Sequence, residues 1–241
     1  MNISDRSSGS WIGYFKRNAK HLLAIPWHHP YRLTPREREA VMDSLRMFEL
    51  GEKSLGRTFL RLARAYSSRH DKDYLTAVKL FIREEQRHSR TLRRFLIRSG
   101  ETLYATHWVD SAFRRLRRSL DIEIEIMVLV TAEIIAIVYY KAVRACTRSR
   151  ILCRICDQIL RDETQHLNFQ ASSLSKFRMV NHPMRIAITT RIHPILLLET
   201  CFIVWIFHWK VFAASGYSLP RFLREVFLVF RKVHRIATGT L

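Results

Sequence analysis

Glycine and proline are scarce in this chain, 7 and 6 of its 241 residues. Few turn clusters interrupt it, and the alternating polar–apolar runs of half-buried strands are hard to find. That leaves a mainly helical fold. Cysteine is scarce too. Four cysteines do not suggest a secreted disulfide scaffold, and Cys153-x-x-Cys156 has no second pair to complete a four-thiolate metal site. The thiols read as buried and reduced, which fits a reducing cytoplasmic compartment. No signal peptide is visible. Acids are outnumbered, 21 against 41 lysines and arginines, for a net charge of +20. Such a surface attracts nucleic acid, acidic lipid headgroups or acidic proteins, or it reports solubility alone. A hydrophobic fraction of 48% is enough to bury a core in one large domain or two small ones.

Three segments follow from the patterning. Residues 1–33 carry Trp11, Tyr14, Phe15, Trp27 and several basic residues, and read as an irregular segment suited to a surface or a membrane interface. Residues 34–182 hold four helical stripes. The first begins at Thr34-Pro35-Arg36-Glu37, where threonine caps, proline suits the first turn and glutamate stands three residues after the cap. Val41, Leu45, Phe48, Glu52, Leu55, Phe59, Leu62 and Tyr66 then trace one face. Glu52 is the only charge on it; Glu49, on a neighbouring face, is the second choice for a ligand. A second helix starts near Asp71 or Asp73 and ends before Gly100. A third covers about 121–146, apolar nearly all round and therefore central. A fourth covers about 150–180. Residues 101–120 form a mixed, basic, partly helical connection.

Two copies of one pattern stand on these stripes. Glu84-Glu85-Gln86-Arg87-His88 and Asp162-Glu163-Thr164-Gln165-His166 both read acid-Glu-x-x-His. Each follows a lone glutamate in an apolar stripe, Glu52 before the first and Glu133 before the second. Glu-x-x-His puts both side chains on one helix face, within reach of one metal or of two adjacent ones. Four acids have little reason to be buried unless a cation holds them. The alternative, surface salt bridges with the many arginines, conflicts with the phenylalanine, leucine and isoleucine around them. Carboxylates with one imidazole per ion suit iron or manganese better than zinc. Glu85 and Glu163 are the natural bridging ligands, and Glu52 and Glu133 the terminal ones. Glu84 and Asp162 point about 100° away from the ligands. Each can accept a hydrogen bond from the histidine of the opposite helix, or pair with Arg83 or Arg161 on the surface.

The spacing also speaks to topology. Glu52 to Glu85 is 33 residues and Glu133 to Glu163 is 30, each fitting a helical hairpin, whereas Glu85 to Glu133 is 48. Two hairpins joined by one long crossover give a ferritin-like four-helix bundle. Residues 183–241 add C-terminal helices. The run 195–214 is nearly long enough to span a bilayer, but Glu199, His208 and Lys210 favour a helix packed on the bundle or lying in a membrane interface. Residues 219–236 form a basic amphipathic helix suited to an anionic membrane face or to solvent. Glu199, His193 and His208 read as helix-end or interface residues.

In these residues the chain resembles the ferritin-like di-iron carboxylate superfamily, and within it the rubrerythrin-type ligand pattern. Glu133 followed by Tyr140 matches the Glu-x6-Tyr element of that group; Glu52 followed by Phe59 matches it in part. The resemblance covers about residues 35–180 and includes no rubredoxin-like domain. It implies a non-haem oxidoreductase with two iron ions, or a manganese–iron or manganese pair, acting with dioxygen or peroxide, with Tyr140 as a catalytic candidate. Phe59, Phe81 and Ile137 suit an apolar organic substrate; a ferroxidase or peroxide-detoxifying protein is the alternative. The expected partners are a separate electron donor, an anionic membrane surface on the cytoplasmic side and a second copy in a homodimer. Nucleic acid is disfavoured, because a basic binding module leaves the buried acids unexplained.

Overall fold

The computed structural model describes residues 3–54, 56–105 and 121–239. Among them the chain is all-α, with no strand. After a 3-10 turn at Ile3–Asp5 comes α1, Ser8–Asn18, capped by the Ser7 hydroxyl, which accepts from the Ser10 amide. Residues 1–33 are therefore not irregular throughout. Trp11, Phe15 and Asn18, spaced four and three, form the buried face of α1.

Helix α2 runs Pro35–Ser54 and opens as the sequence predicts. The Thr34 hydroxyl accepts from the Glu37 amide while the Glu37 carboxylate accepts from the Thr34 amide, a reciprocal cap. The first stripe does not continue as one helix. Gly56 adopts φ +141°, a conformation that side-chain-bearing residues rarely take, and α3 restarts at Arg57 and runs to Ser67. The buried face turns with the restart, to Phe59, Ala63 and Ser67, leaving Leu62 and Tyr66 half-buried. Leu55 and residues 106–120 lie outside the described residues, so the expectation of helix in the connection is not addressed.

Helix α4 spans Tyr74–Arg98, α5 Ile122–Ala145 and α6 Arg150–Val180. Asp121 caps α5, Ser149 caps α6, and only Cys146–Ser149 separate them, which forces an antiparallel pair. Helices α2 and α3 pack on α4, α5 packs on α6, and α4 meets α6 across the middle. Helix α1 lies along α4. It reaches α6 through Trp11, whose indole N–H donates to Ser172 Oγ at 3.0 Å.

The chain finishes with α7, Pro183–Ala214, kinked at His208, and α8, Leu219–Thr238, stopped by Gly239 in a left-handed conformation. Helix α7 packs on α5 and α2, and α8 on α6 and α5. By length and composition α7 is apolar enough to cross a membrane, yet a third of its most apolar stretch is buried against the protein. The inner face of α7 accounts for two of the histidines: His193 Nε2 lies 3.2 Å from Thr131 Oγ1, and His208 Nδ1 lies 2.7 Å from Ser44 Oγ.

Candidate metal centre

Helices α2, α4, α5 and α6 each bring acids to one point between them. Glu52, Glu85, His88, Glu133, Glu163 and His166 are all buried, none more than 7% exposed. They form two overlapping groups. One ligand atom each from Glu52, Glu85, His88 and Glu163 lie within 4.8 Å of one another, and the same holds for Glu85, Glu133, Glu163 and His166. Glu85 and Glu163 belong to both groups. Glu52 and Glu133 belong to one each, as do the two histidines.

The imidazoles are held from outside. His88 Nε2 lies 3.0 Å from Asp162 Oδ2, and His166 Nε2 lies 3.0 Å from Glu84 Oε2. Each acid of the acid-Glu-x-x-His pattern thus orients the histidine of the other copy. This turns both Nδ1 atoms inward: His166 Nδ1 is 2.7 Å from Glu85 Oε1, and His88 Nδ1 is 3.4 Å from Glu163 Oε1. Arg83 and Arg161 are exposed; the arginine beside these acids is Arg87, 3.3 Å from Glu84 and 3.1 Å from Asp162.

Further contacts come from residues the sequence reading assigned no role. Asn18 Nδ2, at the end of α1, donates to Glu84 Oε1 at 2.9 Å and to Asp162 Oδ1 at 2.7 Å. Gln158 Nε2 also donates to Asp162. Gln170 Nε2 donates to Glu133 Oε1 at 2.7 Å, and the Tyr140 hydroxyl donates to Glu52 Oε1 at 3.0 Å. Gln170 was visible as the polar position that follows Glu163 and His166 on the α6 stripe. Asn18 was visible only through its spacing from Trp11 and Phe15. Glu49 is buried but takes a hydrogen bond from Ser89 Oγ at 3.0 Å and joins neither group.

The electrostatics fit a site for cations. Burial, with Glu85 and Glu163 close by, pushes the Glu52 and Glu133 carboxyls well above the usual range. Burial opposes charge on the histidines as well. Asp162 and Glu163 nevertheless raise His88 to about 10, and Glu85 and Glu133 raise His166 well above its ordinary value. Protons thus stand where metal charge would otherwise balance the acids. Glu85 Oε1, His88 Nδ1 and Glu133 Oε2 are buried and lie 2.7–3.8 Å from oppositely charged neighbours without a well-aligned hydrogen bond. Inward-facing donor atoms left in that condition are the kind a metal ion satisfies. The two groups can hold a metal ion.

No protein-family model matches this chain, and no curated protein matches its sequence.

The surroundings are aromatic. Phe81 packs edge-on against His166 with centroids 4.8 Å apart, Phe15 lies 6.2 Å from the same ring, and Phe59 abuts Phe81. On the Glu52 side Phe48 stacks on Tyr139 at 3.6 Å and meets Tyr140 edge-on. This apolar surround lowers the local dielectric, so charges in the site interact more strongly than they would at the surface.

Proposed function

We propose that this is a ferritin-like oxidoreductase holding a pair of iron ions and acting on an apolar organic substrate. The observation that carries the reading is the sharing of Glu85 and Glu163 between two otherwise separate ligand groups. Shared carboxylates with a private glutamate and histidine on either side suit two adjacent ions better than one. The four carboxylates balance two divalent charges. Two antiparallel helix pairs joined by a long connection support the ferritin-like arrangement. Oxygen and nitrogen donors without thiolate support iron, or a manganese–iron or manganese pair, over zinc.

Bound there, such a pair would supply the electrons to reduce dioxygen or peroxide, with replenishment from a separate donor. The chain's own residues do the rest. Glu84 and Asp162 fix the imidazole rings so that Nδ1 faces inward. Tyr140 and Gln170 hold one oxygen of Glu52 and of Glu133, leaving the other free to bind. The phenylalanines exclude water and offer an apolar substrate a matching wall. That wall favours an organic substrate over iron oxidation or peroxide detoxification alone. The exposed basic row of α8, including Arg224, Arg231 and Lys232, supports a peripheral position on an anionic membrane.

Metal analysis of aerobically purified protein, followed by oxygen uptake of the reduced form with apolar candidate substrates, tests this. Fewer than about 1.5 metals per chain removes the pair. A full pair with oxygen uptake indifferent to every organic substrate moves the reading to ferroxidase or peroxide chemistry.

A further inference from the structure

Helix α7 is apolar on both of its faces. The inner face packs on α5 and α2. The outer face carries Met184, Ile188, Ile192, Ile195, Phe202 and Ile206, all exposed; Ile195 is 58% and Ile206 63% accessible. From Ile188 on, the steps run four, three, four, three through position 199 to Trp209. That is a 3.5-residue repeat held for about three heptads, the spacing of a helix that pairs with another helix. A stripe of this size is not left to water without reason.

Two charges interrupt it, Arg191 and Glu199. Both are exposed, and neither has an ion-pair partner among the described residues, whereas the third charge on this face, Lys210, already pairs with Glu39 at 3.2 Å. Arg191 and Glu199 stand four residues before and four after Ile195, about 12 Å apart along the axis at 1.5 Å per residue. A lipid surface would have to bury both unpaired. A second α7, running antiparallel and related by a twofold axis at Ile195, answers both at once. The same operation sets Ile195 on Ile195, Ile188 opposite Phe202, Met184 opposite Ile206, and Arg191 of each copy opposite Glu199 of the other. The face is self-complementary in shape period and in charge, as a twofold interface requires.

We infer that the outer face of α7 is an interface between two copies of this chain, packed antiparallel about Ile195 and registered by reciprocal Arg191–Glu199 pairs. The facing stretch, Met184 to Ile206, is about 33 Å long at 1.5 Å per residue and roughly one helix wide, so it buries on the order of 700–800 Å² over both copies, below the size of standard specific interfaces and in the class of weak, transient ones. Area alone does not fix affinity, so a dimer of this weak class is sought at micromolar concentrations and above. The inference is independent of the metal reading.

Sedimentation velocity of the full chain without lipid or detergent, from about 1 to 100 µM, tests it. The expected result is a shift from 28.6 kDa to twice that mass across the range. Arg191→Glu and Glu199→Arg, each alone, place like charges together and should weaken association at least tenfold, while the double variant restores it. Circular dichroism confirms that these exposed substitutions leave the helices intact. A wild-type chain monomeric at 100 µM overturns the proposal. So does a dimer that the double variant fails to restore, which would indicate another face or a parallel pairing. A monomer that binds phosphatidylglycerol vesicles and loses them on Ile195→Asp would assign the stripe to a lipid surface instead.

Discussion

Glu52 and Glu85 are both acids on apolar stripes, and their places in the two ligand groups predict different consequences for their removal. Glu85 belongs to both ligand groups and Glu52 to one. An ion that binds only the folded chain stabilises it by about 2.7 kcal/mol at 100 times its dissociation constant. In a chain of this size 1 kcal/mol moves Tm by about 2–4 °C. Two ions thus raise Tm by about 10–20 °C, and one by half of that. Glu52→Gln should keep one ion and about half of the rise. Glu85→Gln should lose nearly all of it. The substitution at Glu52 is gentle to the metal-free fold, because burial beside Glu85 and Glu163 already favours a neutral carboxyl that the amide resembles. At Glu85 the metal-free chain also loses the 2.7 Å contact with His166 Nδ1. Each variant must therefore be compared with its own metal-stripped form. Differential scanning calorimetry with and without Fe(II) under argon, or with Mn(II), reads the difference. Equal losses for the two variants would refute the shared-ligand reasoning, and no metal-dependent rise in the wild type would refute the site.

Asn18→Ala removes one donor from Glu84 and one from Asp162, both buried, and should cost about 1–3 kcal/mol by thermal unfolding. A variant as stable as the wild type would show that α1 is not anchored there. Tyr140→Phe deprives Glu52 Oε1 of its donor and should weaken metal binding about tenfold while leaving the fold intact, as competition with a metal-sensitive dye would read. Glu37 supplies a pH dependence. Burial pushes its carboxyl up, but donors from Arg148, Thr34 and Tyr31 outweigh burial and bring it down to about 2 from an ordinary 4.5. A lowered folded value means the contribution is complete above about 4.5 and is lost as pH falls towards 2. Glu37→Gln should cost about 1–2 kcal/mol at pH 7, and that gap should narrow as pH falls below about 4.5 and close only below about 2 in urea unfolding of the metal-stripped chain.

The ligand stripes were legible because helical period and chemistry agree there: a single acid, with or without a histidine one turn on, on a face that is otherwise mostly apolar has few meanings. The same agreement gave the reciprocal cap at Thr34 and Glu37, and the ends of α4, α5 and α6 to within a few residues. The break at Gly56 was hidden because the apolar repeat runs across it. Only the backbone angle at glycine, which no side-chain pattern reports, turns the following helix by a fraction of a turn. Helix α1 was hidden for a different reason. Gly9 and Gly13 weaken its propensity, and its stability comes from tertiary burial of Trp11 and Phe15. Spacing rules place Asn18 and Gln170 on buried helix faces but do not give their partners, since what they touch is set by how helices distant in sequence meet.

The exchange of partners between the two motif copies bears on how the centre fills. Asp162 orients His88, and Glu84 orients His166, so a ring and the acid that steers it sit on different helices. An ion held by His88 would stiffen Asp162, which is covalently next to Glu163, a ligand available to a second ion. The entropy of fixing α4 against α6 is then spent largely on the first ion. Loading is expected to be positively cooperative, with singly filled chains rare at half-saturation.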